Sequence, residues 1–275
     1  MDSPAREYWR TWFWRTATTK VMTVCIAVWI AIGAVWLLLP PTMRLSWLSF
    51  LAVPSDVHLL LHRPWTVLTF MFVHIEFLHL AVNMLWWLMF GGICEQSQGA
   101  GRTMALYICG GLSGAAAFMA FPSGGAMLIG ASCSVMTVMG ATVALMPRYK
   151  VNILLFGPVD ILWVALVATL FFVVLAPGTG ESVAHGAALA VGVSAGLLRR
   201  RGVDITAPLR SVFGFFGRLC SRPAVARATV DIISGSDEEQ LDALLEKVSR
   251  SGYGSLTAAE RQRLFDLSQR FNHRR

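Results

Sequence analysis

Charge is what this sequence has least of. Only 14% of its 275 residues are Asp, Glu, Lys or Arg, about half the share of an ordinary soluble domain, while 55% are hydrophobic. That balance excludes a soluble globule. Between Val21 and Leu198 there are five basic residues (Arg44, Arg63, Arg102, Arg148, Lys150) and five acidic ones (Asp56, Glu76, Glu95, Asp160, Glu181). Charge this sparse over so long a stretch is the composition of a membrane domain. Cysteine pairs are missing as well. Cys25, Cys94, Cys109, Cys133 and Cys220 are odd in number, scattered and without a CxxC, so neither a disulfide framework nor a zinc site is expected. No H-E-x-x-H zinc motif is present either: His74 and His79 stand about 140° apart round a helix and Glu76 is out of order. Arg6, Arg10, Arg15 and Lys20 precede the uncharged stretch Val21–Leu39, but no small-residue cleavage site precedes Pro40. A retained first transmembrane helix is expected rather than a signal peptide.

The net charge of +7 would point to nucleic acid if it formed one face, yet fourteen of the 23 basic residues follow Leu198 and four precede Val21. The basicity belongs to the membrane flanks, and no nucleic-acid partner is expected. Six apolar segments can be marked: Val21–Leu39, about Leu78–Ile93, Thr103–Phe121, about Gly130–Met146, Ile161–Ala176 and about Val183–Leu198. Several are short and carry His, Asn or Ser at one end, as helices buried in a bundle do. Basic residues alternate between loops so that both termini are predicted to be cytoplasmic, with the loops at Pro122–Ile129 and Pro177–Ser182 outside. The segment from Pro40 to Arg63, with Trp47, Leu48, Phe50 and Leu51 broken by Pro54, is expected in the outer interface. Trp9, Trp12 and Trp14 read as an interfacial belt.

The expected organisation is therefore residues 1–20 as a cytoplasmic basic and aromatic N-terminus, 21–198 as a six-helix membrane domain, 199–235 as a basic linker and 236–275 as a cytoplasmic two-helix tail. Val212, Phe213, Phe215 and Phe216 in the linker suit the inner leaflet. In the tail, Ser236 with Glu239 and Thr257 with Glu260 form capping boxes, each opening a helix with an apolar side. A hairpin of this size is small for a core of its own. The fold class is an all-α membrane protein: a six-transmembrane helical bundle with a short soluble helical hairpin at the C-terminus.

Polar residues inside the spans are functional candidates, because burying each one in a membrane costs free energy. His79 and Asn83 share one face of the second span. Gly130-Ala131-Ser132 opens the fourth and Ala184-His185 the sixth. Spans two, four and six all run from outside to inside under the predicted orientation, so His79, Ser132 and His185 lie at similar depth, near positive helix ends. A serine with a histidine suggests a nucleophile and its general base, and His79 and Asn83 suit donors to a developing oxyanion. Small or slim residues recur at Ser132, Met136, Gly140 and Ala144 and at Ala184, Ala188, Gly192 and Gly196, which lets the fourth and sixth spans approach closely. Taken singly, His79 with Asn83 could be bundle hydrogen bonds, Ser132 a helix-contact residue and His185 a satisfied core histidine. His74 and Glu76 stand at the outer mouth of the second span, with His74 placed to hold a loop, and Glu95 is placed to fix that span's cytoplasmic end.

From about Arg63 to Leu198 the chain resembles the rhomboid intramembrane serine proteases. The matching residues are Arg63-Pro64-Trp65, the run from Thr69 to His74, His79-x-x-x-Asn83, Gly91-Gly92, Glu95, Gly130-x-Ser132, and Ala184-His185 with Gly192. The resemblance implies a rhomboid-like bundle with Ser132 as nucleophile, His185 as its base without an aspartate, and an oxyanion pocket of the Ser132 amide, His79 and Asn83. Gly130, Met136, Gly192 and His74 would support the site. It further implies cleavage of transmembrane segments of other membrane proteins, at a cavity open to the outer side of the cell membrane, with no metal or cofactor. The chain departs from the family in having Cys133 where many members have glycine, Met136 where some have tyrosine, and Ala188 for the first glycine of a pair on the sixth span. The tail resembles those of one bacterial subgroup, which assigns it no function. A catalytically silent rhomboid-like protein that grips transmembrane helices is the alternative; such relatives usually lack the serine or the histidine, and this chain has both.

Overall fold

The first apolar run forms helix α1, Ala17–Leu38, which starts ahead of the uncharged stretch. Its early start has a cause far along the chain. Glu95 accepts hydrogen bonds from the backbone N–H groups of Ala17 and Thr18, both at 2.8 Å, and from the Thr18 hydroxyl at 2.6 Å. A carboxylate thus satisfies the open donors and the positive end of α1. Trp87 adds a bond from its Nε1 to the Thr18 carbonyl at 2.8 Å.

The computed structural model describes residues 16–121, 126–153, 157–174, 178–212 and 237–272. Trp9, Trp12, Trp14, Phe213, Phe215, Phe216, Cys220, Ser236 and His273 lie outside the described residues, as do parts of both expected outer loops.

After α1 the chain forms two short helices, α2 (Pro41–Leu48) and α3 (Val57–His62), that leave Met43, Leu45, Leu59 and Leu61 exposed, as an interfacial segment would. Arg63 folds this segment back. Its Nη1 donates to the Ser49 carbonyl at 3.1 Å and hydroxyl at 2.6 Å, and the guanidinium lies 4.0 Å over the Phe50 ring. Trp65 Nε1 donates to the Phe50 carbonyl at 2.8 Å. A two-residue strand β1, Val53–Pro54, pairs antiparallel with β2, Met127–Leu128, and so ties the loop to the entry of the fourth span.

A single turn, α4 (Thr66–Thr69), leads to the second span, which is helical from Phe77 to Gln98. It consists of α5 (Phe77–Trp86), a wider π turn over Trp87–Gly91, and α6 (Gly92–Gln98). Trp87 is fully buried, and a Cβ on Gly91 would lie 3.0 Å from its ring, which explains a glycine there. Helix α7, Ala100–Ala120, follows, then α8, Ser132–Leu145, whose residues from Ser132 to Thr142 are all buried. An all-round buried helix belongs at the centre of a bundle. Small residues set how closely its neighbours come: Gly110 and Gly114 of α7 face Thr137 and Cys133, while Gly111 faces the side chain of Met71.

Strands β3 (Lys150–Ile153) and β4 (Gly157–Asp160) form an antiparallel hairpin closed by the Lys150–Asp160 ion pair at 2.6 Å. Helix α9, Ile161–Val174, and helix α10, Thr179–Arg200, complete the bundle. Four helical segments, α1, α5 to α6, α7 and α10, are long and apolar enough to cross a membrane, and α8 and α9 are shorter apolar helices. The expected all-α membrane bundle of six apolar helices is what the described residues form. The two small two-stranded sheets are additions that apolar patterning does not reveal.

Beyond α10, Asp204 receives Arg102 Nε and Arg210 Nη1, each at 2.8 Å, and the Thr206 hydroxyl at 2.6 Å. Burial pushes its carboxyl up, but the Thr206 and Arg102 bonds outweigh this and hold it down at about 2.

The described residues divide into two compact units between residues 214 and 215. The second holds α11 (Asp237–Ser251) and α12 (Ala258–Asn272), closed around buried Leu244, Leu256 and Leu267. Thr257 and Glu260 make the expected reciprocal cap, at 2.7 Å from the Thr257 N–H and 3.2 Å from the Glu260 N–H. Lys247 also donates to Glu260. The Lys247 and Thr257 hydrogen bonds hold the Glu260 carboxyl below its ordinary range.

Candidate active site

The site is built on the N-terminal turns of α5, α8 and α10. On α5, His79 and Asn83 stand one turn apart, and Asn83 Nδ2 donates to the His79 carbonyl at 2.9 Å. That bond fixes the amide orientation, since the reverse would set two acceptors against each other. Asn83 is fully buried and, among the described residues, its Oδ1 has no partner.

The turn into α8 needs Gly130. Its φ is +107°, in the region L side chains avoid, and a Cβ would lie 2.8 Å from the His79 ring. Two bonds hold this turn: the Gly130 N–H donates to the Phe70 carbonyl at 2.9 Å, and the Ala131 N–H donates to His74 Nε2 at 3.3 Å. His74 is fully buried, and its ring meets that of His79 edge-on, with centroids 5.1 Å apart. His74 thus stands beside the turn into α8.

Ser132 opens α8 and His185 lies in the second turn of α10, both buried. Their atoms meet: Ser132 Oγ and His185 Nε2 are 2.6 Å apart. The other ring nitrogen decides the direction of that bond. His185 Nδ1 is 2.7 Å from the Phe172 carbonyl, which only accepts. The neutral imidazole therefore carries its proton on Nδ1, and the serine hydroxyl donates to Nε2. No carboxylate is involved; a backbone carbonyl at the end of α9 orients the ring, and the Phe172 side chain meets it edge-on at 5.8 Å.

The three departures from the family pattern each have a place. Cys133 is buried against Gly114, whose missing side chain makes the room. Met136 is buried in the cluster that contains Phe90, Met139 and Phe172. The Ala188 carbonyl accepts the Thr137 hydroxyl at 2.6 Å, a buried bond between α8 and α10, and Gly192 lies directly against the Thr137 backbone.

His79, Asn83, Ser132 and His185 all line one cavity of about 410 Å³, whose remaining wall is mostly apolar and includes Val82, Leu128, Phe171 and Phe172. Gly91, Gly92 and Glu95 are not part of it; they serve the far half of the second span and α1. Among the described residues no three His, Cys, Asp or Glu side chains are grouped to hold a metal ion. Sequence patterning missed Phe172, Thr137 and Glu181. The first acts through its backbone and leaves no motif. Thr137 is an ordinary span residue until α10 is placed beside it. Glu181, also on the cavity wall, counted only as a stray charge.

Fold and site together define a multi-pass helical membrane protein whose buried serine and histidine meet in a cavity between the helices. The family model for the Rhomboid domain matches residues 61–202, more than half of the chain, and the chain belongs to the rhomboid family. It is similar to the Rhomboid protease GlpG of Salmonella paratyphi A (strain ATCC 9150 / SARB42) and to that of Salmonella typhi, 30% identical to each over 95 residues, which cover 34% of this chain and 32% of theirs. The match thus spans about a third of the length of these relatives. Residues 235–270 match a family of unknown function, DUF6576.

Proposed function

We propose that the protein is an intramembrane serine protease that hydrolyses peptide bonds in or near transmembrane segments of other membrane proteins. The observation that carries this is the 2.6 Å contact of Ser132 Oγ with His185 Nε2 inside a cavity that His79 and Asn83 also line. An apolar cavity with a few convergent polar groups suits an extended peptide leaving the bilayer.

Each group then has a chemical task. Ser132 Oγ attacks the scissile carbonyl carbon while its proton passes to His185 Nε2, which the Phe172 carbonyl has kept free to accept it. The carbonyl oxygen gains negative charge at the start of α8, where the Ser132 N–H has no intrahelical acceptor. Asn83 Nδ2, with one hydrogen on the His79 carbonyl and one left, and the His79 ring are the further donors. His185 returns the proton to the leaving amine, and a water deprotonated by the same nitrogen hydrolyses the acyl ester and restores Ser132. His74 and Gly130 hold the turn that aims the Ser132 amide.

By loop charge the N- and C-termini are placed in the cytoplasm of a cell whose inner membrane holds the bundle, with cleavage toward the outer face. The partners are then single-pass or multi-pass substrates and the bilayer itself. The test is labelling in native membranes with a fluorophosphonate probe. Wild type is expected to label at Ser132, and Ser132→Ala and His185→Ala are expected not to; an unlabelled wild type would return the chain to the silent, helix-gripping class.

A further inference from the structure

Two carboxylates line the cavity, Glu76 and Glu181, and among the described residues no lysine or arginine does. Both sit where an acidic side chain has an ordinary structural use. Glu76 is the N-cap residue of α5 and Glu181 is in the first turn of α10, but neither α5 nor α10 has a side-chain capping hydrogen bond at its start. The carboxylates border the cavity instead of closing their helices.

Glu181 lies one helical turn before His185, a rise of about 6 Å. A carboxylate so close to a catalytic histidine invites the role of a third triad member, holding Nδ1. That role is filled: Nδ1 is bound to the Phe172 carbonyl at 2.7 Å. The charge of Glu181 is therefore not committed to the base, and it acts on whatever enters the cavity. The same cavity presents Asn83, fully buried with an Oδ1 that is unpartnered among the described residues, an acceptor waiting for a donor from outside the chain. Together, one unmet acceptor in the cavity wall and two carboxylates with no lysine or arginine beside them in the described lining favour a guest that brings hydrogen-bond donors and positive charge.

We propose that Glu181, assisted by Glu76, makes this cavity select substrates that carry a lysine or arginine side chain within about three residues of the scissile bond. The proposal rests on the protease assignment and adds the substrate class to it. The physical basis is a Coulomb attraction in a partly desolvated cavity, stronger than at an open surface and weakened by salt. An exposed ion pair gives a few-fold preference at most, and partial burial here raises that to about fivefold or more in kcat/KM. A substrate with aspartate or glutamate at the same place is disfavoured by a similar factor.

The experiment uses the full chain in proteoliposomes and a set of single-pass substrates that differ only in having lysine, glutamine or glutamate at one of the three positions on either side of the cleavage site, which is located by mass spectrometry. At one or more positions wild type is expected to prefer lysine to glutamine about fivefold at low salt, with the preference shrinking at high salt. Within Glu181→Gln the lysine-to-glutamine ratio is expected to fall toward one, whatever that variant's absolute rate, and within Glu181→Lys to invert. A wild-type ratio of one at every position overturns the proposal, as does a preference that survives in the Glu76→Gln, Glu181→Gln double variant. Should the variants fail to fold, the wild-type ratio and its salt dependence decide alone. Cleavage that ignores charge, with Ser132 still labelled by the fluorophosphonate, removes the selectivity and leaves the protease; absence of both labelling and cleavage removes the protease itself.

Discussion

Replacing Gly192 by alanine should open the active site from two helical turns away. Gly192 lies on α10, seven residues beyond His185, and faces the backbone of Thr137 on α8, the helix that carries Ser132. A Cβ at Gly192 would stand 2.8 Å from the Thr137 carbonyl carbon and Cα, and closer still to its oxygen, where an ordinary contact begins at 3.4 Å. Backbone on both sides cannot yield as a side-chain tip can, so α8 and α10 must part by more than about 0.6 Å at this level, the gap that the Thr137 carbonyl carbon and Cα alone require, since the nearer oxygen requires more. If most of that displacement reaches the dyad, the 2.6 Å bond between Ser132 and His185 approaches the outer limit for a hydroxyl donor. A 1 Å misplacement costs on the order of a hundredfold in rate, so a tenfold to hundredfold slower fluorophosphonate labelling is expected, with stability lower by about 1–3 kcal/mol from overpacking. The assay is the labelling rate per folded molecule, well below the unfolding temperature. Gly186→Ala is the control, because a Cβ there meets nothing within 4 Å. If Gly192→Ala labels as fast as wild type, the close approach of α8 and α10 is not what sets the dyad.

The remaining predictions concern single contacts. Thr137→Val keeps the shape and loses the buried bond to the Ala188 carbonyl; it should lower stability by about 0.6–1.7 kcal/mol, measured by thermal unfolding in detergent, with Thr137→Ser close to wild type. Asn83→Ala should slow cleavage about ten- to a thousandfold, whereas an unchanged rate with lowered stability would make Asn83 a bundle residue only. Glu95→Ala strands three donors at the start of α1 and should cost about 1–3 kcal/mol, read as a lower unfolding temperature with earlier protease accessibility near residue 17. Asp204, held at about 2 against an ordinary 3.8, stabilises the fold while ionised. Its contribution is fully present above about pH 4 and is lost as pH falls through about 2. The gap in unfolding temperature between wild type and Asp204→Asn should therefore be wide at pH 7 and close on acidification.

Much of this molecule was legible in one dimension. Sparse charge marked the membrane domain, because a bilayer forbids what a soluble surface requires. The spacing of His79 and Asn83 puts them on one helix face, and the position of Ser132 and His185 at the starts of alternate spans led to the expectation that they and His79 share one depth. Helix periodicity and topology are local properties, and a sequence displays them directly.

What the sequence could not display are contacts whose partners are backbone atoms or are distant along the chain. The acceptor that orients His185 is the Phe172 carbonyl, a group every residue possesses, so no side-chain pattern announces it. Glu95 is a lone acid in an apolar run until α1 is laid beside it and its carboxylate meets Ala17 and Thr18. The seat of Cys133 is the empty side of Gly114 on α7, and that glycine has meaning only once the two helices touch. Local propensity and burial determined which segments are helices and which faces are polar. Tertiary packing alone decided which atoms of those helices lie within hydrogen-bond reach, because directional bonds act over a few tenths of an ångström while hydrophobic burial is indifferent to such distances.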